Sequence, residues 1–404
     1  MKANDILYLD HASTTPCREE VWEAMRPYAL YDYGNPDSLH SLGRSARRAV
    51  AEARQTIAEC LNCLGTEIVF TSGGSESDNL ALWGAAHAND GRGRHIITTE
   101  IEHLAVLHTC QGLTAAGFEF TYLKPDEYGR VTAEQVLSAV RPDTILVSIM
   151  HANNEVGTIQ PIGEIARLLK AHCREIIFHT DAVQTVGHIP VDVEELGVDL
   201  LTFTAQKFYG PKGVGGLYVR DGVQLQPRIA GVRRERGLEY GTLSVPLIVG
   251  MAVAMRYACR EMDGGHEPWA RTRDRVIEGL LSIDDSRLNG HPVERLPTNV
   301  SVSFLGASGE DIVLQLDRLG ICASTGSACT SGVVEPSHVL TSMGLSRRWA
   351  LGALRLSFGH GSRGMDPGAL VEHIRRIVTE LRSTSYTSAP RGGGGPTKAI
   401  GMTA

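Results

Sequence analysis

The 404-residue sequence predicts an α/β fold, with a mainly parallel central sheet covered by helices and a smaller α+β unit towards the C-terminus. Three observations point to it. Short β-rich runs alternate with helical stretches as far as Thr204. Polar clusters follow those runs directly, where open α/β sheets bind ligands. From about residue 258 the alternation gives way to a second, shorter pattern.

Glu19–Leu30 and Gly43–Leu61 carry helical periodicity, as do Glu134–Val140 and Ile162–His172. The expected strands are Glu67–Thr71, His95–Thr99, Phe118–Leu123, Thr144–Met150, Glu175–His179 and Leu200–Thr204. The second unit holds a helix through Arg273–Leu281, a strand Asn299–Phe304 and a helix Glu310–Leu319. Asp366 and Pro367 open a last helix, whose apolar stripe runs from Leu370 through Ile374 and Val378 to Leu381. The Ser-, Thr-, Pro- and Gly-rich stretch that follows reads as a disordered tail.

The chain is 42% hydrophobic and 21% charged, an ordinary globular balance, with a net charge of -7. That charge supplies no attraction to nucleic acid or to an anionic membrane. No stretch reads as a membrane span or a signal core, so the chain is expected to be cytoplasmic, with its eight cysteines reduced. Cys60 and Cys63 form one CxxC without a second pair; two ordinary cysteines at a helix end is the better reading than zinc. His151, His172, His179 and His188 do not make a metal set, so no metal is expected. Arg44, Arg47 and Arg48 read as a solvated helix face, and Cys322 as a core residue.

The polar clusters carry the chemistry. Thr71–Ser77, TSGGSES, is a glycine-rich strand-to-helix turn that can close backbone N–H groups on an anion, with Ser75 adding a hydroxyl; a purely structural turn is the alternative. Asp181 and Lys207 each end an apolar strand. They suit either a buried ion pair or a lysine bound covalently to pyridoxal phosphate with an aspartate on the pyridine nitrogen. Ser324–Gly332, STGSACTSG, sets Cys329 among small polar residues, as an exposed nucleophile or as a small buried hydrophobe.

Together these segments carry a resemblance. YLDHASTTP, GNPDSLHSLG, FTSGGSESDNLAL, HANNEVGTIQPI, HTDAVQTVG, KFYGPKGVGGLYV, ERGLEYGTLSVP, STGSACTSG, EPSHVL and LRLSFG stand in one order from Tyr8 to about Leu381. The chain thereby resembles the cysteine desulfurases of the class V aminotransferase group, which are fold-type I pyridoxal-phosphate enzymes. The long segment around Cys329 matches the subgroup that serves iron–sulfur assembly and tRNA thiolation.

The resemblance implies a large cofactor-binding domain over 15–257, and a small domain from 1–14 and 258–382 that carries Cys329, with 383–404 as tail. It implies that Lys207 holds pyridoxal 5'-phosphate and later moves the Cα proton. Asp181 would meet the pyridine nitrogen and Gln184 the ring oxygen, while His103 stacks on the ring and assists proton transfer. Gly74, Ser75, Thr204 and Gln206 would contact the cofactor, and Asn154 the cofactor or substrate. Thr242 would reach the phosphate of a partner subunit, in a homodimer with shared active sites. Arg355 would bind the carboxylate of L-cysteine. Cys329 would take the sulfur as a persulfide, releasing alanine, and pass it to an acceptor protein.

The sequence also departs from the family pattern. Gln206 stands where histidine is usual, His11 where asparagine is, and Ser75 where threonine is. Between Ala230 and Thr242, Val232, Arg233 and Arg234 replace Gly, Gly and Gln, and Glu239 and Tyr240 replace Arg and Ser. A relative with an altered reaction (a C–S lyase, epimerase or selenocysteine lyase) and a non-catalytic scaffold are the competing readings.

Overall fold

Glu19–Leu30 is helical, and the longer helix Ser41–Leu61 begins two residues before its expected start, with the His40 side chain as its cap. The computed structural model describes residues 6–227, 233–234, 237–263, 267–326 and 335–387. Arg44 and Arg47 do more than face solvent. They donate to the carbonyls of Leu39 and Pro36 and hold the preceding turn.

Seven strands form the central sheet. From edge to edge they are Ile68–Thr71, Gly215–Val219, Leu200–Thr204, Ile177–Asp181, Thr144–Ser148, His95–Thr99 and Glu119–Leu123. All neighbours are parallel except the two pairs made by Gly215–Val219. Consecutive side chains point to opposite faces, and both faces are covered. Ile97, Phe178, Leu201 and Tyr218 pack with Val50, Ile57 and Met255 on one side. Ile96, Ile177, Leu200 and Leu217 pack with Leu82, Val106 and Leu113 on the other.

Two differences from the sequence reading bear on the site. The strand expected at Glu175–His179 runs instead from Ile177 to Asp181, because Glu175 stays at the surface in an ion pair with Arg92. The shift places Asp181 inside the sheet, opposite Thr202. Gly215–Val219 was expected as a motif and not as a strand. Its glycines look like turn residues, but a Cβ on Gly216 would lie 2.3 Å from the Phe203 ring, so glycine lets two strands close together.

A second core belongs to the smaller sheet, Ser286–Leu288, Asn299–Phe304 and Ala353–Ser357, all antiparallel. Val300, Val302, Leu354 and Leu356 pack there with Ile312, Leu316, Ile374 and Val378. Leu9, from the start of the chain, joins this core. Leu7–Tyr8 pairs in parallel with Ile321–Cys322, and Asp10 bridges to Ser357. Cys322 is therefore half-buried at a strand pair rather than deep in the core. The final helix, Pro367–Thr387, is capped by Asp366 and continues past the expected start of the tail. Cys60 is half-buried and hydrogen-bonded to Cys259, and with Cys63 it packs against the large core.

Candidate active site

A cleft of about 280 Å³ opens at the carboxyl ends of the parallel strands. Gly74, Ser75, His103, Asn154, Asp181, Gln184, Thr204, Gln206, Lys207 and Arg355 all line it. Each reaches it for a local reason. Asp181 ends its strand, and Gln206 and Lys207 lie in the short turn after Leu200–Thr204. His103 caps the helix Leu104–Ala115, its Nδ1 accepting from the Ala105 N–H at 3.1 Å. That bond leaves Nε2 as the protonated nitrogen of the neutral ring. Asn153 fixes the turn before Asn154 to Val156, its Oδ1 accepting from the backbone of Glu155 and Val156.

The helix Gly74–Ala88 starts at the cleft with Gly73 as its N-cap and no side chain to cap it. Its first N–H groups have no helical acceptors, and the helix dipole adds positive potential. Gly73 sits at φ +155°, and a Cβ on Gly74 would come within 3.0 Å of Val183 Cγ2. Glycine at 74 thus leaves room for Val183 beside the helix start, and the Ser72 N–H is turned away to Glu76.

Electrostatics set the reactivity. Lys207 Nζ donates to the carbonyls of Ala12 and Ser13, at 2.6 and 2.7 Å. Burial, helped by the nearby charge of Arg355, lowers its proton affinity to about 8. Burial raises the affinity of Asp181, against the opposing pull of His103, of the Val183 N–H and of Lys207. Two further carboxylates sit deep beside it. Asp78 also lines the cleft, and burial raises it well above the ordinary range; burial likewise pushes Glu102 up to about 8. His179 lies 3.7 Å from Asp78, but burial holds its imidazole down to about 3. His179 is therefore neutral at pH 7, and the contact is not an ion pair. Among these three buried carboxylates, Asp181 is the one held by Lys207 and His103, so it is the one suited to carry charge.

The facing wall comes from the small sheet and the N-terminal segment. The Arg355 side chain is 4% exposed, and its guanidinium donates to Asp10 Oδ1 at 2.8 Å, Ser13 Oγ at 2.7 Å and Asn154 O at 2.9 Å. Its Nε is buried and has no partner among the described residues. Gln184 donates to Ala12 O at 3.0 Å, and Thr204 Oγ1 to Val214 O. The sequence reading gave no role to Asp10, Ser13 or the Ala12 carbonyl, although all lie in its first motif. It also passed over Asp78 and Glu102, which sit among polar neighbours, in SESDN and TEIEH, and so carry no local signal of burial.

Some predicted residues are not placed in this cleft by the described structure. Cys329 lies outside the described residues. Thr242 is exposed and does not line it. Of the departures, Val232 and the side chains of Arg233, Arg234 and Glu239 are outside the description, while the backbones of Arg233–Arg234 and Glu239–Tyr240 pair antiparallel. His11 is buried, with Nδ1 3.0 Å from Ser357 O and its ring edge-on to Tyr8; burial lowers its proton affinity and keeps it neutral. A larger cavity, about 460 Å³, lies behind Lys207 near His188, Tyr209 and His360. Its polar groups already pair with one another or with backbone, as His360 does with Glu261 and His188 with Lys207 O, so the chemistry belongs to the smaller cleft.

The residues present fit pyridoxal phosphate: an unpaired helix start for a phosphate, a buried carboxylate for a ring nitrogen, and a lysine of lowered proton affinity. Among the described residues there is no group of three metal-ligating side chains, and no helix long and apolar enough to cross a membrane.

The comparisons agree. Residues 7–366 match the family model described as Aminotransferase class-V. A relative from Methanosarcina thermophila, cysteine desulfurase IscS, is 48% identical over 382 residues, covering 95% of this chain and 94% of that protein. A solved structure titled NifS-like protein superposes with a TM-score of 0.84 at 38% identity, covering 95% of this chain and all of that one. Another, titled SspA in complex with cysteine, gives a TM-score of 0.77 at 38% identity, over 87% of this chain and 98% of the other. The chain belongs to the class V aminotransferase family and, within it, to the cysteine desulfurases.

Proposed function

We propose that this protein removes sulfur from L-cysteine with pyridoxal 5'-phosphate as cofactor, releasing L-alanine and leaving a persulfide on Cys329. The observation that carries the reading is the meeting of Lys207, Asp181 and Arg355 in one cleft. The cysteine-bound neighbour, SspA, supports cysteine as substrate.

When bound, pyridoxal phosphate supplies the electron sink that makes the bonds at Cα and Cβ of cysteine labile. Lys207 holds the cofactor, and its amine, with proton affinity lowered to about 8, takes and returns the Cα proton near neutral pH. Asp181, the carboxylate held by Lys207 and His103, would pair with the ring nitrogen and keep it protonated. Gly74 and Ser75 bind the phosphate through the helix start, with Gln206 and Thr204 beside it. Gln184 faces the ring oxygen. His103, with its proton on Nε2, would lie against the ring as a donor. Arg355 and Asn154 orient the substrate carboxylate and amine.

The thiolate of Cys329 attacks the substrate sulfur. An S–S bond forms as the Cβ–S bond breaks, and the bonding pair stays with carbon, which takes up protons to become alanine. One thiol and one cysteine thus give one persulfide and one alanine, with no outside oxidant. The sulfur then passes to an acceptor protein, in iron–sulfur assembly or tRNA thiolation. A homodimer completes each site through Thr242 of the partner copy, which its exposed position on this chain favours.

Incubation of the loaded protein with L-cysteine and a thiol reductant tests the reading. Alanine and sulfide are expected in equal amounts. Pyruvate in place of alanine would assign a different reaction.

A further inference from the structure

Lys207 ends a turn of only three residues, Ala205–Lys207. So short a turn holds itself poorly, and its last carbonyls need donors from elsewhere. The Gln206 carbonyl accepts from the N–H and the hydroxyl of Thr15. The Lys207 carbonyl accepts from His188 Nε2 at 2.9 Å. A ring nitrogen that donates to a carbonyl carries its proton whether the imidazole is neutral or charged, so the bond does not depend on pH.

His188 belongs to the segment that starts with Asp181 and includes Gln184. Its N–H donates to Thr185 O at 2.9 Å, and the Thr185 N–H donates to Ala182 O at 3.0 Å. Gly187 presses this segment against the lysine turn: its φ is +81°, and a Cβ there would stand 2.5 Å from Phe208 Cβ. On the far side, His188 and Tyr209 line the cavity of about 460 Å³. Open space gives the turn few packing partners there, so hydrogen bonds set its direction. Tyr209 itself has φ +64°, a region that a bulky residue keeps only when its neighbours hold it. Its N–H donates to Thr15 Oγ1, and its hydroxyl oxygen accepts from the His360 N–H.

We propose that His188 is a positioning residue for Lys207. By holding the carbonyl of the lysine's own peptide, it fixes the direction of the Lys207 side chain relative to Asp181 and Gln184, which stand on the same segment as the imidazole. The proposal rests on Lys207 being the residue that binds the cofactor. A displacement of about 1 Å at a reacting group can slow it up to about a hundredfold, so a bond that sets this direction bears on rate.

The test uses the full chain, freed of cofactor, carrying His188→Leu or His188→Gln. Leucine keeps bulk and removes the donor, whereas glutamine can set an amide N–H where Nε2 stands. Pyridoxal phosphate is added, and its covalent capture is followed by absorption at several pH values. Borohydride trapping and peptide mass spectrometry identify the lysine that takes it. His188→Leu should load about tenfold more slowly, as expected for losing one neutral hydrogen bond. The pH at which loading levels off should stay near 8, because burial and the charges of Arg355, Asp181 and Asp10 set it, and not His188. In the loaded protein kcat should fall by a similar factor, with KM for cysteine held within about twofold. His188→Gln should recover most of both rates. Should leucine prevent folding, His188→Asn, whose shorter amide does not reach the carbonyl, takes its place beside His188→Gln. Native-rate loading in the variant without the donor overturns the proposal. So does a His188→Gln protein as slow as that variant, since the ring's bulk and not its donor would then matter. So does a rise in KM as large as the fall in kcat, since the damage would then extend to the Arg355 wall. Cofactor trapped on a lysine other than Lys207 in the native protein would instead overturn the underlying reading, and the proposal with it.

Discussion

Asp181 and Lys207 stand at the ends of neighbouring parallel strands, whereas Asp10 and Arg355 lie 345 residues apart and meet through side chains. The first wall of the cleft is set by the ladder of the large sheet. The second depends on the pairing of Asp10 with Ser357, and on a guanidinium shared among Asp10, Ser13 and Asn154. The sheet wall carries groups whose proton affinities are moved by burial. The arginine wall carries charge already partly neutralised. Under the proposed function, one wall serves covalent and proton chemistry and the other holds an anion reversibly.

The largest expected effect strikes the sheet wall. Lys207→Ala should abolish turnover and the absorption band of covalently held cofactor, because no other described lysine lines the cleft. In the native protein the attacking form of Lys207 is the neutral amine. Its lowered affinity, about 8, predicts that cofactor loading accelerates about tenfold per pH unit below 8 and levels off above it. Stopped-flow loading of the cofactor-free protein checks this. A profile still rising steeply at pH 10 would mean that burial does not tune this lysine.

The arginine wall should fail differently. Arg355→Ala removes a charge-assisted, two-point contact worth about 3 kcal/mol, so kcat/KM for cysteine should fall roughly a hundredfold, mostly through KM. The cofactor band should persist. Loss of the band with Arg355 would show that the two walls are not separable.

The same contrast explains what was legible in the sequence. Asp181 and Lys207 could be found because each polar residue ends an apolar run, and the strand-end rule brings such ends together. Arg355 had no local signal of that kind; the family resemblance alone singled it out, and its partners Asp10 and Ser13 went without a role. Gly215–Val219 was missed because its glycines answer to the Phe203 ring on the next strand, which no local pattern reveals. The register of Ile177–Asp181 slipped by two because Glu175 has strand-like neighbours but a surface partner in Arg92. Residues whose reason is local were readable, and residues whose reason is a distant partner were not.

Asp10→Asn is a sharper probe with a smaller effect. Asparagine keeps an oxygen acceptor for the Arg355 Nη2 and removes the negative charge that competes with the substrate carboxylate. The Asp10 side chain is 21% exposed, so solvent screens much of that charge. KM for cysteine should drop about threefold, in line with a partly exposed pair, while kcat changes little. A rise in KM would mean that Asp10 serves chiefly to aim the guanidinium, and that the wall is preorganised more than it is neutralised.

An effect confined to low pH is expected at Gln206, where the sheet wall departs from the family pattern. Its backbone carbonyl accepts from the N–H and the hydroxyl of Thr15, so the turn is anchored whatever side chain stands there. Glutamine offers a phosphate only a neutral donor, whereas a protonated histidine would add charge. The helix start at Gly74 and Ser75 already supplies backbone donors and dipole, so the added bond shares its load. Gln206→His should therefore slow cofactor release by about three- to tenfold below pH 6.5 and have almost no effect above pH 8, where imidazole is neutral. Release rates measured by trapping free cofactor across that range would decide it. An equal effect at both ends would show that shape, and not charge, distinguishes the two side chains.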